Sequence, residues 1–255
     1  MTAAPDRVVD GPADALVGAV RAALADAADP GRAGAMQAYM KSALPFRGVP
    51  RPVRAGVERE VLAAYPLPSR ASWEGAVRDL WDGAAYREER YVAVTLTGWK
   101  AYRRWLDLDA VPLLEKLVVE GAWWDYVDEV ATRRLGPLLR ADPEGMRPVI
   151  RSWAVDEDPW KRRAAVVCQV GARDRVDLDL LADCLVPNLG DRGFFLRKGV
   201  GWALRDAARE NPRWVRAFVR THDARISTLA RREAMKHLGD PVWQGSPSPD
   251  RVTGE

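Results

Sequence analysis

The chain is 255 residues long, 47% apolar and 29% charged, with a net charge of +3. That composition suits a folded chain with a large core, and no apolar run reaches the length a membrane span needs. Cys168, Cys184, His222 and His237 form no ligand-spaced cluster, which argues against a metal site or a Cys–His nucleophile. The two cysteines fall among apolar neighbours and read as buried thiols of a reducing compartment. Charge is uneven along the chain. Residues 131–240 hold 22 Lys/Arg against 15 Asp/Glu, a balance of +7, and the remainder holds 17 against 21, a balance of −4. A basic C-terminal half suits a polyanionic partner; an arginine-rich genome gives the same signal.

Met1 to Pro12 reads as a disordered arm. Asp6 and Asp10 occupy it and no apolar stretch follows, so it is not a signal peptide and a cytoplasmic location is expected. Helices are then predicted over residues 13–26, with Leu16, Val17, Val20 and Leu24 on one face, and over 33–44, with Met36, Tyr39, Met40 and Lys41. Pro45 to Pro50 forms a turn plugged by Phe46. Helices follow over 52–64, 69–81 (Ser72 a candidate late cap) and 86–102, then over 108–120 with Asp109 as candidate N-cap. The next is predicted over 122–135, helical from Trp123 onward, and a short one covers 137–140. The remaining helices start at Asp142, Asp158, Asp177, Asp191, Arg213 and Ser227, and Gly239 closes the last. Residues 241–255 read as a disordered tail.

Apolar residues almost never alternate over a strand length, so the chain is all-α. Short helices come in pairs punctuated by Pro or Asp-Pro, as in HEAT-type repeats. The expected architecture is a HEAT-like helical-repeat solenoid with a concave face, spanning residues 13–240 as one domain.

Several stretches are unusual for plain core helices. Trp123-Trp124-Asp125-Tyr126-Val127-Asp128 sets Trp124 and Asp128 four apart, on one helical face, with Asp125 close by. Lys161, Arg162 and Arg163 open a helix, where cations oppose the macrodipole. A bound phosphate would offset that cost, as would pairing with Asp156, Glu157 and Asp158. Gly199 and Gly201 interrupt a helix beside Arg197, Lys198 and Trp202, each costing up to about 1 kcal/mol relative to Ala. They admit a ligand or relieve a helix crossing. Arg231, Arg232, Lys236 and His237 add a last basic segment, with His237 capping the helix or facing a phosphate.

Taken in order over residues 33–239, these segments, with Met36–Lys41 and Pro45–Gly48, resemble the AlkD-like DNA alkylation repair glycosylases, which are built of HEAT-like repeats. The resemblance implies a monofunctional hydrolase, with no Schiff-base lysine. It would cut the N-glycosidic bond of purines alkylated at N3 or N7, such as 3-methyladenine and 7-methylguanine, in duplex DNA, as the first step of base excision repair. A cationic base leaves with little or no acid assistance, which suits a site without a catalytic histidine. Carried over, Asp128 is the catalytic carboxylate, and Trp124 and Trp202 flank the lesion nucleotide through their π-faces. Arg163 holds a backbone phosphate; Tyr39, Lys41, Arg162, Arg197, Lys198 and Arg232 are further DNA contacts. The resemblance implies no cofactor or metal, no membrane, a monomer, and a nucleoid location when bound to DNA. Two other readings compete: a non-catalytic HEAT-repeat protein that binds damaged or branched DNA, and a protein-binding solenoid. The presence of Trp124, Asp128, Arg163 and Trp202 together favours the enzyme over the first, and the second leaves the basic C-terminal half and the Arg163 cluster unexplained.

Overall fold

The computed structural model describes residues 11–238. The expected tail over 241–255 and the Gly239 cap lie outside them, as does the expected arm except for Gly11 and Pro12, which open the first helix instead. The described residues form α-helices and short 3-10 turns, with no strand among them, so the all-α expectation holds. None of these helices is long and apolar enough to cross a membrane. Contacts divide the chain into two compact units, Met1–Val149 and Ile150–Glu255.

The first unit contains α1 (Gly11–Asp26), α2 (Pro30–Met40), α3 (Arg51–Ala64), α4 (Arg70–Asp82), α5 (Arg87–Thr97), α6 (Val111–Gly121), α7 (Trp124–Val130) and α8 (Gly136–Ala141). The boundary falls within α9 (Pro143–Ala154). The second unit contains α10 (Pro159–Val167), α11 (Leu178–Leu185), α12 (Phe194–Ala207), α13 (Pro212–Thr221) and α14 (Thr228–Met235).

Alternate helices stack on one another. In the first unit α1 packs on α3, α3 on α5 and α5 on α7; in the second α10 packs on α12 and α12 on α14. These helices bury stripes against the helix two further along, as helical repeats do, while α4 packs on both α1 and α5 and α6 on α7. The stripes are those the sequence marks: Leu16, Val20 and Leu24 of α1 are fully buried. Side-chain oxygens of Asp29, Ser69, Asp158, Asp177 and Ser227 accept backbone N–H groups at the starts of α2, α4, α10, α11 and α14. Buried tryptophans satisfy their indole N–H groups: Trp73 donates to the Leu96 carbonyl at 3.1 Å, and Trp81 to Glu120 at 2.9 Å.

Several boundaries differ from expectation, each for a local reason. Ser69, not Ser72, caps α4: its Oγ accepts the Ser72 N–H at 3.1 Å. α5 stops at Thr97 because Gly98 breaks it, and residues 100–105 continue as a 3-10 turn. Asp107, not Asp109, supplies the capping carboxylate, accepting from the Asp109 N–H ahead of α6. Ala122 adopts a left-handed conformation (φ 40°) that ends α6, so Trp123 is extended (φ −154°) and the following helix begins at Trp124. The short helix expected over 137–140 is not separate. Residues 131–135 form a π-helical turn that joins α7 to α8. Pro137 has no N–H to give the Arg133 carbonyl, and the wider turn accommodates that missing bond.

Candidate functional site

The first unit holds Trp124 and Asp128 one turn apart on α7, both partly open to solvent, while Tyr126, Val127 and Val130 face the core. Trp123 is also partly exposed; it precedes the helix rather than lying in it. Asp125 sits in a different environment from Asp128. Its carboxylate accepts two bonds from Arg87 Nη2, at 2.9 and 3.1 Å, and one from the Tyr91 hydroxyl at 2.6 Å. It also accepts its neighbour's backbone N–H, from Tyr126, at 3.0 Å. Asp125 is thus held in place by Arg87, Tyr91 and the Tyr126 N–H.

Arg87 is itself buried at 6% exposure, with its guanidinium 4.3 Å from the Tyr126 ring and 5.6 Å from that of Tyr91. Burial alone would lower its affinity for a proton, but Tyr126, Asp125 and Tyr91 together raise it. Burial pushes the Tyr91 and Tyr126 hydroxyls well above the ordinary phenol range, so neither is a base at neutral pH. Neither Arg87 nor Tyr91 stands out in the sequence. The available signal was a cation in the first turn of a helix, the same feature that drew attention to Lys161.

Tyr39 and Lys41 lie at the C-terminal end of α2. Tyr39 is 78% exposed, and Lys41 is a left-handed residue (φ 48°) whose N–H bonds the Ala38 carbonyl. The turn that follows is set by Glu88 of α5, which accepts the N–H groups of Arg47, Gly48 and Val49 at 3.0–3.1 Å. Phe46 is its buried plug, as expected.

In the second unit the expected residues lie on the stacked row. Arg162 and Arg163 are on α10; Arg197, Lys198 and Trp202 are on α12; Arg232 is on α14. Trp202 is partly open and Arg232 exposed. Asp158 caps α10 through the N–H groups of Trp160 and Lys161, at 2.7 and 3.1 Å. Lys161 pairs with Asp156 at 2.6 Å, and that contact holds the Asp156 carboxyl below its usual value. Arg162 reaches Asp191 at 3.0 Å and the Asp156 and Glu157 carbonyls at 2.8 and 3.0 Å. Local carboxylates therefore offset the cations at this helix start.

Arg163 is 5% exposed and donates to the Phe195 carbonyl. Gly199 makes room for it: a Cβ there would stand 3.2 Å from Arg163 Nη1. Gly201 likewise admits α14, since a Cβ would fall 2.6 Å from Glu233 Cβ and 3.1 Å from the Ala230 backbone. Both glycines serve helix approach. Glu233 then holds Arg205, at 2.5 Å, and Lys198, at 3.5 Å. His237 is exposed just beyond α14. Cys168 and Cys184 are buried, and burial raises the Cys184 thiol out of its reactive range. Among the described residues no three His, Cys, Asp or Glu side chains gather as metal ligands.

The first unit thus carries the indole–carboxylate pair of α7, and the second a stacked helical row bearing cations. The sequence model of the DNA alkylation repair enzyme family matches residues 20–238, and the chain belongs to that family. Among solved structures it is similar to "Predicted DNA alkylation repair enzyme from Enterococcus faecalis", with a TM-score of 0.75 and 28% identity, covering 84% of this chain and 97% of that one. No curated protein matches it.

Proposed function

We propose that this family member is a monofunctional DNA glycosylase that hydrolyses the N-glycosidic bond of N3- and N7-alkylated purines in duplex DNA. The observation that carries the reading is on α7: Trp124 and Asp128 lie one turn apart in partly open positions, and Asp125 is paired with Arg87 and bonded by Tyr91. α7 therefore carries Trp124 and Asp128 in partly open positions, while its third carboxylate, Glu129, lies 3.5 Å from Arg134.

The chemistry needs little more. An alkylated purine carries positive charge, so the bond from C1′ breaks with its electron pair moving onto the base nitrogen, and the base departs neutral. The sugar is left with oxocarbenium character. Asp128 stabilises that charge and orients the water that adds to C1′, accepting the proton the water loses. Trp124 and Trp202 offer π-faces to the cationic nucleotide. Arg163 is the proposed contact to a backbone phosphate, the role that the family resemblance implies for it. Tyr39, Lys41, Arg162, Arg197, Lys198 and Arg232 are the proposed further backbone contacts, and no lysine is assigned a Schiff base, so strand cleavage is not expected.

The test is release of 7-methylguanine and 3-methyladenine from methylated duplex DNA. Wild-type protein releases them, and Asp128→Asn loses release while still binding DNA. Binding by both proteins with release by neither supports the non-catalytic DNA-binding reading instead.

A further inference from the structure

We infer that Arg87 is a positioning residue for the α7 pair, a two-armed clamp that ties α7 to the end of α2; this rests on the glycosylase reading above. One arm, Nη2, makes the two bonds to Asp125 at the start of α7. The other, Nη1, donates to Ser42 Oγ at 3.2 Å. Ser42 lies one residue past the left-handed Lys41 and three past the exposed Tyr39, and its own hydroxyl donates to the Leu44 carbonyl at 2.7 Å. The third donor, Nε, bonds the Tyr91 hydroxyl at 3.0 Å, and that hydroxyl returns to Asp125. One guanidinium thus closes a ring of bonds between two segments that carry proposed DNA contacts.

The setting of the clamp is rigid. Its base is fixed by the Arg87 N–H, which donates to the Pro45 carbonyl at 2.9 Å. The rings of Tyr126, Tyr91 and Phe46 surround the guanidinium at 4.3, 5.6 and 5.9 Å. Side-chain exposure is 7% for Arg87 and 12% for Asp125, so water does not screen the pair. Asp125 is the second residue of α7 and Asp128 the fifth. Whatever fixes Asp125 therefore fixes the azimuth of the Trp124 ring and the Asp128 carboxylate. A planar fork reaches Asp125 and Ser42 together; a lysine ammonium in the same volume reaches one or the other.

Arg87→Lys keeps the buried charge and tests the geometry. The expected result is a protein that still folds, with affinity for duplex DNA reduced no more than in Ser42→Ala, and a single-turnover excision rate at saturating DNA lower by about 10- to 100-fold. Hydrogen exchange of the amides of residues 124–128 should be faster than in wild type. Ser42→Ala releases only the α2 arm: it should weaken DNA affinity and leave the single-turnover rate at saturating DNA within about 2-fold of wild type. A wild-type excision rate and wild-type exchange in Arg87→Lys overturn the clamp. So does a loss of rate that follows only from loss of folded protein, shown by recovery when temperature is lowered. The exchange measurement stands without activity: if wild-type protein excises nothing, the glycosylase reading falls while the amides of α7 still report whether Arg87 holds that helix.

Discussion

The two units treat charge in opposite ways. Up to Val149 the described residues bury five charged side chains, Glu58, Arg87, Glu88, Glu89 and Arg134; beyond it they bury one, Arg163. The first unit holds 20 Lys/Arg and 21 Asp/Glu, the second 19 and 15. So the first unit is nearly neutral yet rich in internal ion contacts, and the second is basic with its charges mostly at helix ends and on the surface. Burying a charge is costly unless it is paired and hydrogen-bonded. The first unit uses that cost for precision: Glu88 shapes a turn, Arg87 holds α7, and Arg134 bonds Thr97 Oγ1 at 2.8 Å and the Val94 carbonyl at 2.9 Å. The second pairs cations such as Lys161, Arg162 and Arg205 with nearby carboxylates, and builds its close helix approach from glycine.

Substitutions at glycine break each unit by its own weak point, and the largest effect is expected in the first. Gly48 has φ +83°, and a Cβ there would lie 2.0 Å from the Asp29 carbonyl oxygen. Gly48→Ala must shift that backbone and disturb the turn held by Glu88, so thermal unfolding should show a loss above about 3 kcal/mol. In the second unit, Gly201→Val should push α12 from α14, with a loss of about 1–3 kcal/mol in urea unfolding. A silent Gly201→Val would mean that the close approach of α12 to α14 is not needed.

Smaller effects sharpen the electrostatic contrast. Arg163→Ala should reduce the salt dependence of DNA binding by about one phosphate contact in a titration over salt concentration. An unchanged slope would assign Arg163 wholly to α12 packing. Glu58 tests the interior of the first unit. Burial raises its carboxyl above the ordinary value despite Arg54 and Thr95. The folded state then binds a proton that the unfolded state has already lost, so stability falls as pH rises from the ordinary carboxylate value through the folded one. Glu58→Gln should flatten that decline in stability measured against pH; the same slope in both proteins would remove Glu58 as its source.

The contrast also explains what the sequence made legible. Helices, caps and the glycines of α12 are local: Leu16, Val20 and Leu24 show their period within nine residues, and Gly199 and Gly201 show as costly exceptions inside a helix. Pairings in the first unit are not local. Arg87 meets Asp125 across 38 positions and Glu88 meets Gly48 across 40. No periodicity marks such partners, so helical spacing left Asp125 beside Asp128, and only the family resemblance singled out Asp128. The start of α7 was missed for a related reason: a left-handed alanine at Ala122 does what sequence reasoning expects of glycine.

The proposed division of roles, catalysis by Asp128 and structure by Asp125, is the central claim, and one comparison of rates tests it directly: single-turnover release of 7-methylguanine by Asp128→Asn and by Asp125→Asn at saturating duplex DNA. The account predicts a loss of about 100-fold or more for Asp128→Asn with normal DNA affinity and thermal stability. Asp125→Asn should lose stability and retain measurable release. Wild-type release from Asp128→Asn would contradict the account.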